Sequence, residues 1–204
     1  MEMLNVLAAL LLYGGFHSLT AATRVKAMFA GTLGDRAYLG LYRLLYSVVS
    51  VLTLLPILRL MAAHPGRTVW NADGIAAAGL LAIRGAGAIG LVVALLQVDL
   101  LRFLGIKGMI AYVRARQLPL PPEPLSTRGV YRLVRHPLYL FSLMALWASP
   151  TMTEAGLGFT LGATIYFVLG SLLEERKMMR TFGPEYVAYR KAVPWLIPFV
   201  KRAS

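Results

Sequence analysis

The chain has 204 residues, of which 58% are hydrophobic and 15% charged, and its mean hydropathy is +0.65. A soluble domain is about 45–50% apolar and about 25% charged, so a soluble protein is excluded; the length suits one compact membrane bundle, not two domains and a linker. The absence of cysteine excludes disulfides, thiolate metal sites and a cysteine nucleophile, and the net charge of +12 lies between apolar runs, which fits anionic lipid headgroups and not nucleic acid.

A membrane crossing needs about 20 mostly apolar residues. In chain order the candidates are 3–22, 38–62, 74–96, 137–150 and 155–173. The first, beginning MEMLNVLAALLLY, has no basic leader and no small-residue cleavage site, so it reads as a retained span. Residues 98–116 mix apolar and basic positions like a helix lying in the interface, and stop at QLPLPPEPL, whose prolines enforce an extended linker. The fourth span is short, bounded by Pro137 and Pro150, and pairs with the fifth through the polar turn 149–154. The tail EERKMMRTFGPEYVAYRKAV reads as two short helices split by Gly183-Pro184.

Basic residues orient these spans. The 23–37 loop carries Arg24, Lys26 and Arg36; segment 97–136 carries seven basic residues, and so does the tail from 174, whereas the 149–154 turn has none. Five spans with the N-terminus outside put every basic-rich segment in the cytoplasm. The expected fold is therefore an all-α, polytopic membrane helical bundle, a single domain of about five transmembrane helices with a cytoplasmic helical tail.

Several positions carry chemistry. Pro137 suits the first turn of a helix, which sets Arg135 and His136 beside the free N–H groups of that helix's N-terminus, where anions are attracted. The plain alternative is a snorkelling basic flank. His136 and Tyr139 share one helix face. Glu174 and Glu175 lie where span five leaves the apolar region, and the hairpin returns them to the side of Arg135 and His136. Paired carboxylates there need cations or hydrogen-bond donors, which Arg176, Lys177 and Arg180 also offer. Tyr186 and Tyr189 share a face of a short amphipathic helix, either as interfacial anchors or as π-faces for a cation. In IRGAGAIG, Arg84 lies among Gly85, Gly87 and Gly90, a pattern that suits close helix packing within or between chains. His17 is either a satisfied core histidine or a ligand. With His64 and His136 the only other histidines, a multi-histidine metal centre is not expected.

TRGVYRLVRHPLYL, the apolar hairpin, and EERKMMRTFGPEYVAYRKAVPWLIP together resemble the isoprenylcysteine carboxyl methyltransferase group of integral membrane enzymes. The stretch WASPTMTEAGLGFTLGATIYFVLGSLLEER is similar to the membrane methanethiol S-methyltransferases. FHSLTAATRVKAM and GDRAYLGLYRLLYSVVS resemble the NnrU family, related to the plastid zeta-carotene isomerase. The resemblance implies a three-span NnrU-like part, 1–96, and a cofactor-binding part, 97–204, built on the hairpin 137–173. It implies S-adenosylmethionine as cofactor, held by Arg135, His136, Tyr139, Glu174, Glu175, Tyr186 and Tyr189, with Gly85 and Gly87 as a matching G-x-G. Arg135, His136 and Glu175 take the catalytic roles, with Arg135 facing the cofactor carboxylate. The acceptor would be a small thiol or a lipophilic molecule reached from the bilayer of a bacterial inner membrane. Two other readings follow from the NnrU resemblance: a haem-binding protein using His17, and a non-catalytic membrane accessory factor. The isomerase's second signature histidine corresponds to Ser149, which argues against haem.

Overall fold

A computed structural model describes residues 1–200. In chain order the helices are α1 (Glu2–Ala21), α2 (Thr23–Leu33), α3 (Asp35–Ala63), α4 (Gly74–Leu96), α5 (Leu100–Phe103), α6 (Ile106–Val113), α7 (Pro137–Trp147), α8 (Glu154–Phe182) and α9 (Pro184–Ala192). Two short strands, β1 (Thr68–Asn71) and β2 (Thr151–Thr153), pair antiparallel. The chain is an all-α membrane bundle, in which α1, α3, α4 and α8 are long and apolar enough to cross a membrane.

The expected spans near 3–22, 38–62 and 74–96 correspond to α1, α3 and α4. Three expectations need correction. The fourth expected crossing contains only the 11 residues of α7, about 16 Å of helix, because Pro150 offers no N–H and residues 151–153 turn extended to pair with β1. Segment 23–37 holds a helix, α2, not only a loop. The first of the two expected tail helices is not a separate element, since α8 runs unbroken through Glu174 and Glu175 to Phe182. Gly183, at φ 53°, then ends it, and Pro184 starts α9 as expected.

The contacts group the chain into two compact units. One comprises 8–64 and 99–123. Here α6 packs on α3, and a Cβ at Gly40 would lie 2.5 Å from Tyr112 Cβ, so glycine permits the approach. Gly105, at φ +87°, brings its backbone against Arg43 and Leu44 and separates α5 from α6. His17 has both ring nitrogens engaged, Nε2 with Tyr46 Oη and Nδ1 with Ser50 Oγ at 2.9 Å. That is the satisfied core histidine.

The other unit comprises 1–7, 65–98 and the chain from Pro124 onward. Its main helix pair is α4 with α7. A Cβ at Gly87 would fall 2.8 Å from Ala145 N and 2.9 Å from Phe141 O, and one at Gly90 would enter the Phe141 ring. Small residues here allow backbone approach where lipid offers no hydrophobic drive for helix pairing. Gly85, by contrast, faces open space. Gly87→Val is therefore expected to destabilise by about 1–3 kcal/mol through overpacking. Gly85→Ala should hold or slightly raise the thermal midpoint in detergent, and an equal drop in both would remove the packing role. Arg84 reaches out of α4 to Ser149 Oγ at 3.3 Å.

Candidate active site

The site begins with the turn that delivers Arg135. Gln97, which caps α4, accepts a hydrogen bond from Val130 N at 3.1 Å and packs on Gly129, whose φ of +58° bends the 3-10 turn 129–132. Arg135 N then donates to Pro194 O at 2.9 Å, which ties this segment to the extended backbone after α9. His136 precedes Pro137 at N1 of α7 and adopts φ −122°, ψ 62°, outside the helical region as a pre-proline residue must.

From α8, Glu175 points into this turn and is surrounded by donors. Arg135 Nε donates to its Oε1 at 2.7 Å and Arg135 Nη2 to its Oε2 at 3.0 Å, a bidentate pair. Tyr186 Oη donates to Oε1 at 2.7 Å, and His136 Nε2 lies 3.0 Å from the same oxygen. Only 7% of the Arg135 side chain and 12% of the Glu175 side chain are exposed. The remaining Arg135 nitrogen, Nη1, donates to the carbonyls of Arg190 at 3.1 Å and Val193 at 2.5 Å. Four of the five guanidinium N–H donors are thus directed at acceptors of the protein itself.

Glu174 is placed differently. Its side chain is 39% exposed. Tyr139 Oη donates to its Oε2 at 3.1 Å, and His136 Nδ1 stands 3.5 Å from that oxygen. Tyr139 stacks between His136, at 5.6 Å with rings 5° apart, and Phe167, at 5.0 Å. The Tyr139 hydroxyl passes over Gly170, where an added Cβ would already touch it at 3.8 Å.

The electrostatics follow from these partners. Burial alone would favour neutral His136, but hydrogen bonds and charges from Glu174 and Glu175 outweigh it and raise its pKa above the ordinary histidine value. With a carboxylate at each nitrogen, the imidazolium donates on both sides. Burial and then the hydrogen bond to Glu175 push the Tyr186 phenol far upward. Burial likewise raises Tyr189, whose hydroxyl donates to Tyr131 O at 2.6 Å. Tyr131 is pushed up to about 12 by burial and by the charge of Glu174. These phenols stay protonated near neutral pH and act as donors, not bases.

Beside Glu175 a cavity of about 240 Å³ opens between α8, α9 and the 193–195 segment, lined by Arg135, Leu172, Glu175, Arg176, Met179, Arg190 and Trp195. Of the residues expected in the site, Arg135, His136, Tyr139, Glu174, Glu175 and Tyr186 meet through the bonds above, and Tyr189 joins through an edge-on ring contact with Tyr186 at 5.8 Å. Gly85 and Gly87 are not brought into that cluster's bonds. Gly87 packs on α7 at 141–145, and Gly85 is open. Phe167 and Gly170 were missed, although both lie on the Glu174 face of α8, seven and four residues before it, a spacing legible as one helix stripe. Tyr131 and Trp195 had no signal beyond residue type. Arg190 had been noted only as a tail charge.

The phospholipid methyltransferase family matches residues 81–185, which include the α4–α7 pair and both glutamates. Methanethiol S-methyltransferase of Crocosphaera subtropica is 34% identical over 69% of this chain, which spans 55% of that relative's length. Methanethiol S-methyltransferase 2 of Bradyrhizobium diazoefficiens is 33% identical over 92% of this chain and 71% of its own. The Pseudomonas deceptionensis methanethiol S-methyltransferase is 42% identical over 40% of this chain, which covers 33% of it. No solved structure matches. The matched segment carries the RHP turn and the glutamate pair into one site, and the chain belongs to the phospholipid methyltransferase family of membrane methyltransferases.

Proposed function

We propose that the chain transfers a methyl group from S-adenosylmethionine to a small thiol, with a lipophilic acceptor as the competing substrate class. The observation that carries this reading is the bonded cluster of Arg135, His136, Tyr139, Glu174, Glu175 and Tyr186, with a cation-edged, partly apolar cavity beside Glu175 between α8, α9 and the 193–195 segment. The donor molecule combines a carboxylate, an ammonium, hydroxyls, a purine and a sulfonium, and the residues present fit that mixture. When bound, it supplies an electrophilic methyl group.

The chain's own residues do the rest. Glu174 offers a carboxylate to a cationic group, and Tyr139, stacked with His136 and Phe167, holds that carboxylate in place through its hydroxyl. Arg135, Glu175 and Tyr186 hold that arrangement rigid, with Tyr189 fixing the 129–132 turn. Displacement at a methyl group is in line, so rigid positioning and exclusion of water supply much of the gain. A thiol acceptor must also lose a proton. His136 carries its own proton while it bridges the two carboxylates, so Glu174 is the better-placed base. The site then faces the cytoplasm, the N-terminus lies outside, and the acceptor arrives from the bilayer of a bacterial inner membrane.

The relatives' names favour the thiol class. The test is a screen of the purified chain with labelled S-adenosylmethionine against methanethiol, a prenylated cysteine and phosphatidylethanolamine, beside calorimetric titration with S-adenosylhomocysteine. Product from methanethiol and measurable binding are expected. No binding in several detergents and in nanodiscs would defeat the donor assignment.

A further inference from the structure

The cavity beside Glu175 has an arginine edge that the internal bonds of the site leave uncommitted. Four of the five Arg135 N–H donors go to Glu175, Arg190 O and Val193 O, which leaves one Nη2 N–H for a second anion. Glu175, in turn, is neutralised by Arg135 and His136. Two further cations line the same cavity, Arg176 and Arg190. The Arg190 guanidinium is held loosely among the described residues: its Nε stands 3.6 Å from Glu175 Oε2, Nη1 meets the thioether of Met179 at 3.6 Å, and 47% of the side chain is exposed. With the Glu175 charge already matched, the cavity is net positive on this edge. Its other walls, Leu172, Met179 and Trp195, are apolar.

We propose that Arg190, assisted by Arg176, is the receptor for the carboxylate of the methyl donor's amino-acid part, and that Arg135 is a positioning residue that holds Glu175 and the 190–193 carbonyls. This subsite rests on the S-adenosylmethionine reading. A guanidinium at the rim of a cavity that excludes part of the solvent gives a bidentate, charge-assisted pair with a carboxylate. The apolar walls take the uncharged body attached to it. Substituting Arg190 keeps its backbone carbonyl, so the Arg135 anchor survives the change.

The experiment compares two ligands on the full chain in nanodiscs. S-adenosylhomocysteine carries the amino-acid carboxylate, and 5′-methylthioadenosine shares its nucleoside and thioether but lacks that part. Arg190→Gln is expected to weaken S-adenosylhomocysteine tenfold or more, the effect of one lost charge-assisted hydrogen bond, and to change 5′-methylthioadenosine less than twofold. Arg190→Lys should recover part of the loss, and the thermal midpoint should stay near wild type. Equal losses for both ligands, or none for S-adenosylhomocysteine, overturn the subsite while leaving the donor reading intact. Loss of soluble dihexanoyl phosphatidylglycerol binding alone would assign the arginine to lipid phosphate and likewise overturn it. A wild-type chain that binds neither nucleoside overturns the donor reading and the subsite together.

Discussion

Glu175→Ala is expected to destabilise the unit built on α7, α8 and α9 by about 3–5 kcal/mol, the range found when one partner of a buried ion pair is removed. The reason is what remains. Arg135 keeps its charge in a site where 7% of its side chain is exposed, and His136 and the Tyr186 hydroxyl lose the oxygen that both approach. Burying an unpaired charge costs more than the pair contributed. Glu175→Gln keeps the shape and one carbonyl acceptor, so a smaller loss is expected. Glu174→Gln should cost little stability, because the carboxylate it replaces is 39% exposed and solvent screens it. Thermal and denaturant unfolding in one detergent reads all three, and Glu175→Ala with a midpoint like that of Glu174→Gln would refute the asymmetry.

The second large effect concerns pH. His136 has a raised pKa in the folded chain. A raised value means that the folded state holds the proton more tightly, so the stabilisation is complete below the ordinary histidine value of about 6.5 and is lost as pH rises through the higher folded value. The thermal midpoint should therefore fall on the alkaline side of neutrality, in a scan from about pH 6 to about pH 9. His136→Phe should lose this slope and, at low pH, the bonds to Glu174 and Glu175. Hydrogen bonds to charged groups are worth about 1.5–3 kcal/mol each, with the bond to exposed Glu174 at the low end. A His136→Phe chain that falls as steeply as wild type would assign the slope to another group.

Much of this architecture was legible because strong local signals coincide with tertiary need. Gly74–Leu96 emerges with the boundaries expected of it, since no proline or charge pair competes with its apolar run apart from Arg84, which Ser149 receives. Pro137 and Gly183-Pro184 mark their helix ends by backbone sterics that hold in any setting. The meeting of Arg135-His136 with Glu174-Glu175 followed from chain return alone. What periodicity could not give was the division of labour between adjacent glutamates. On a helix, neighbours differ by about 100° in direction, and only the position of α9 decides which carboxylate is enclosed. The same holds for Arg135, whose sequence reads equally well as a ligand for an anion and as an internal clamp. The strand pairing of 68–71 with 151–153 was hidden because TVWN and TMT are too short to carry a period-two pattern.

That pairing bears on insertion tolerance. Trp147 Nε1 donates to Thr164 Oγ1 at 3.0 Å, so α7 ends level with the first third of α8. Residues 149–153 then run to the start of α8 without helical hydrogen bonds of their own. Backbone N–H and C=O groups require partners, and β1 with its flanking residues supplies them here: Ala72 N donates to Pro150 O at 2.9 Å, Trp70 Nε1 to Ser149 O at 3.0 Å, and Glu154 N to Arg67 O at 2.9 Å. A segment that looks like a surface turn is therefore a splice whose every residue has an assigned mate. Lengthening it by one residue would break these pairings, where an ordinary loop would simply bulge into water.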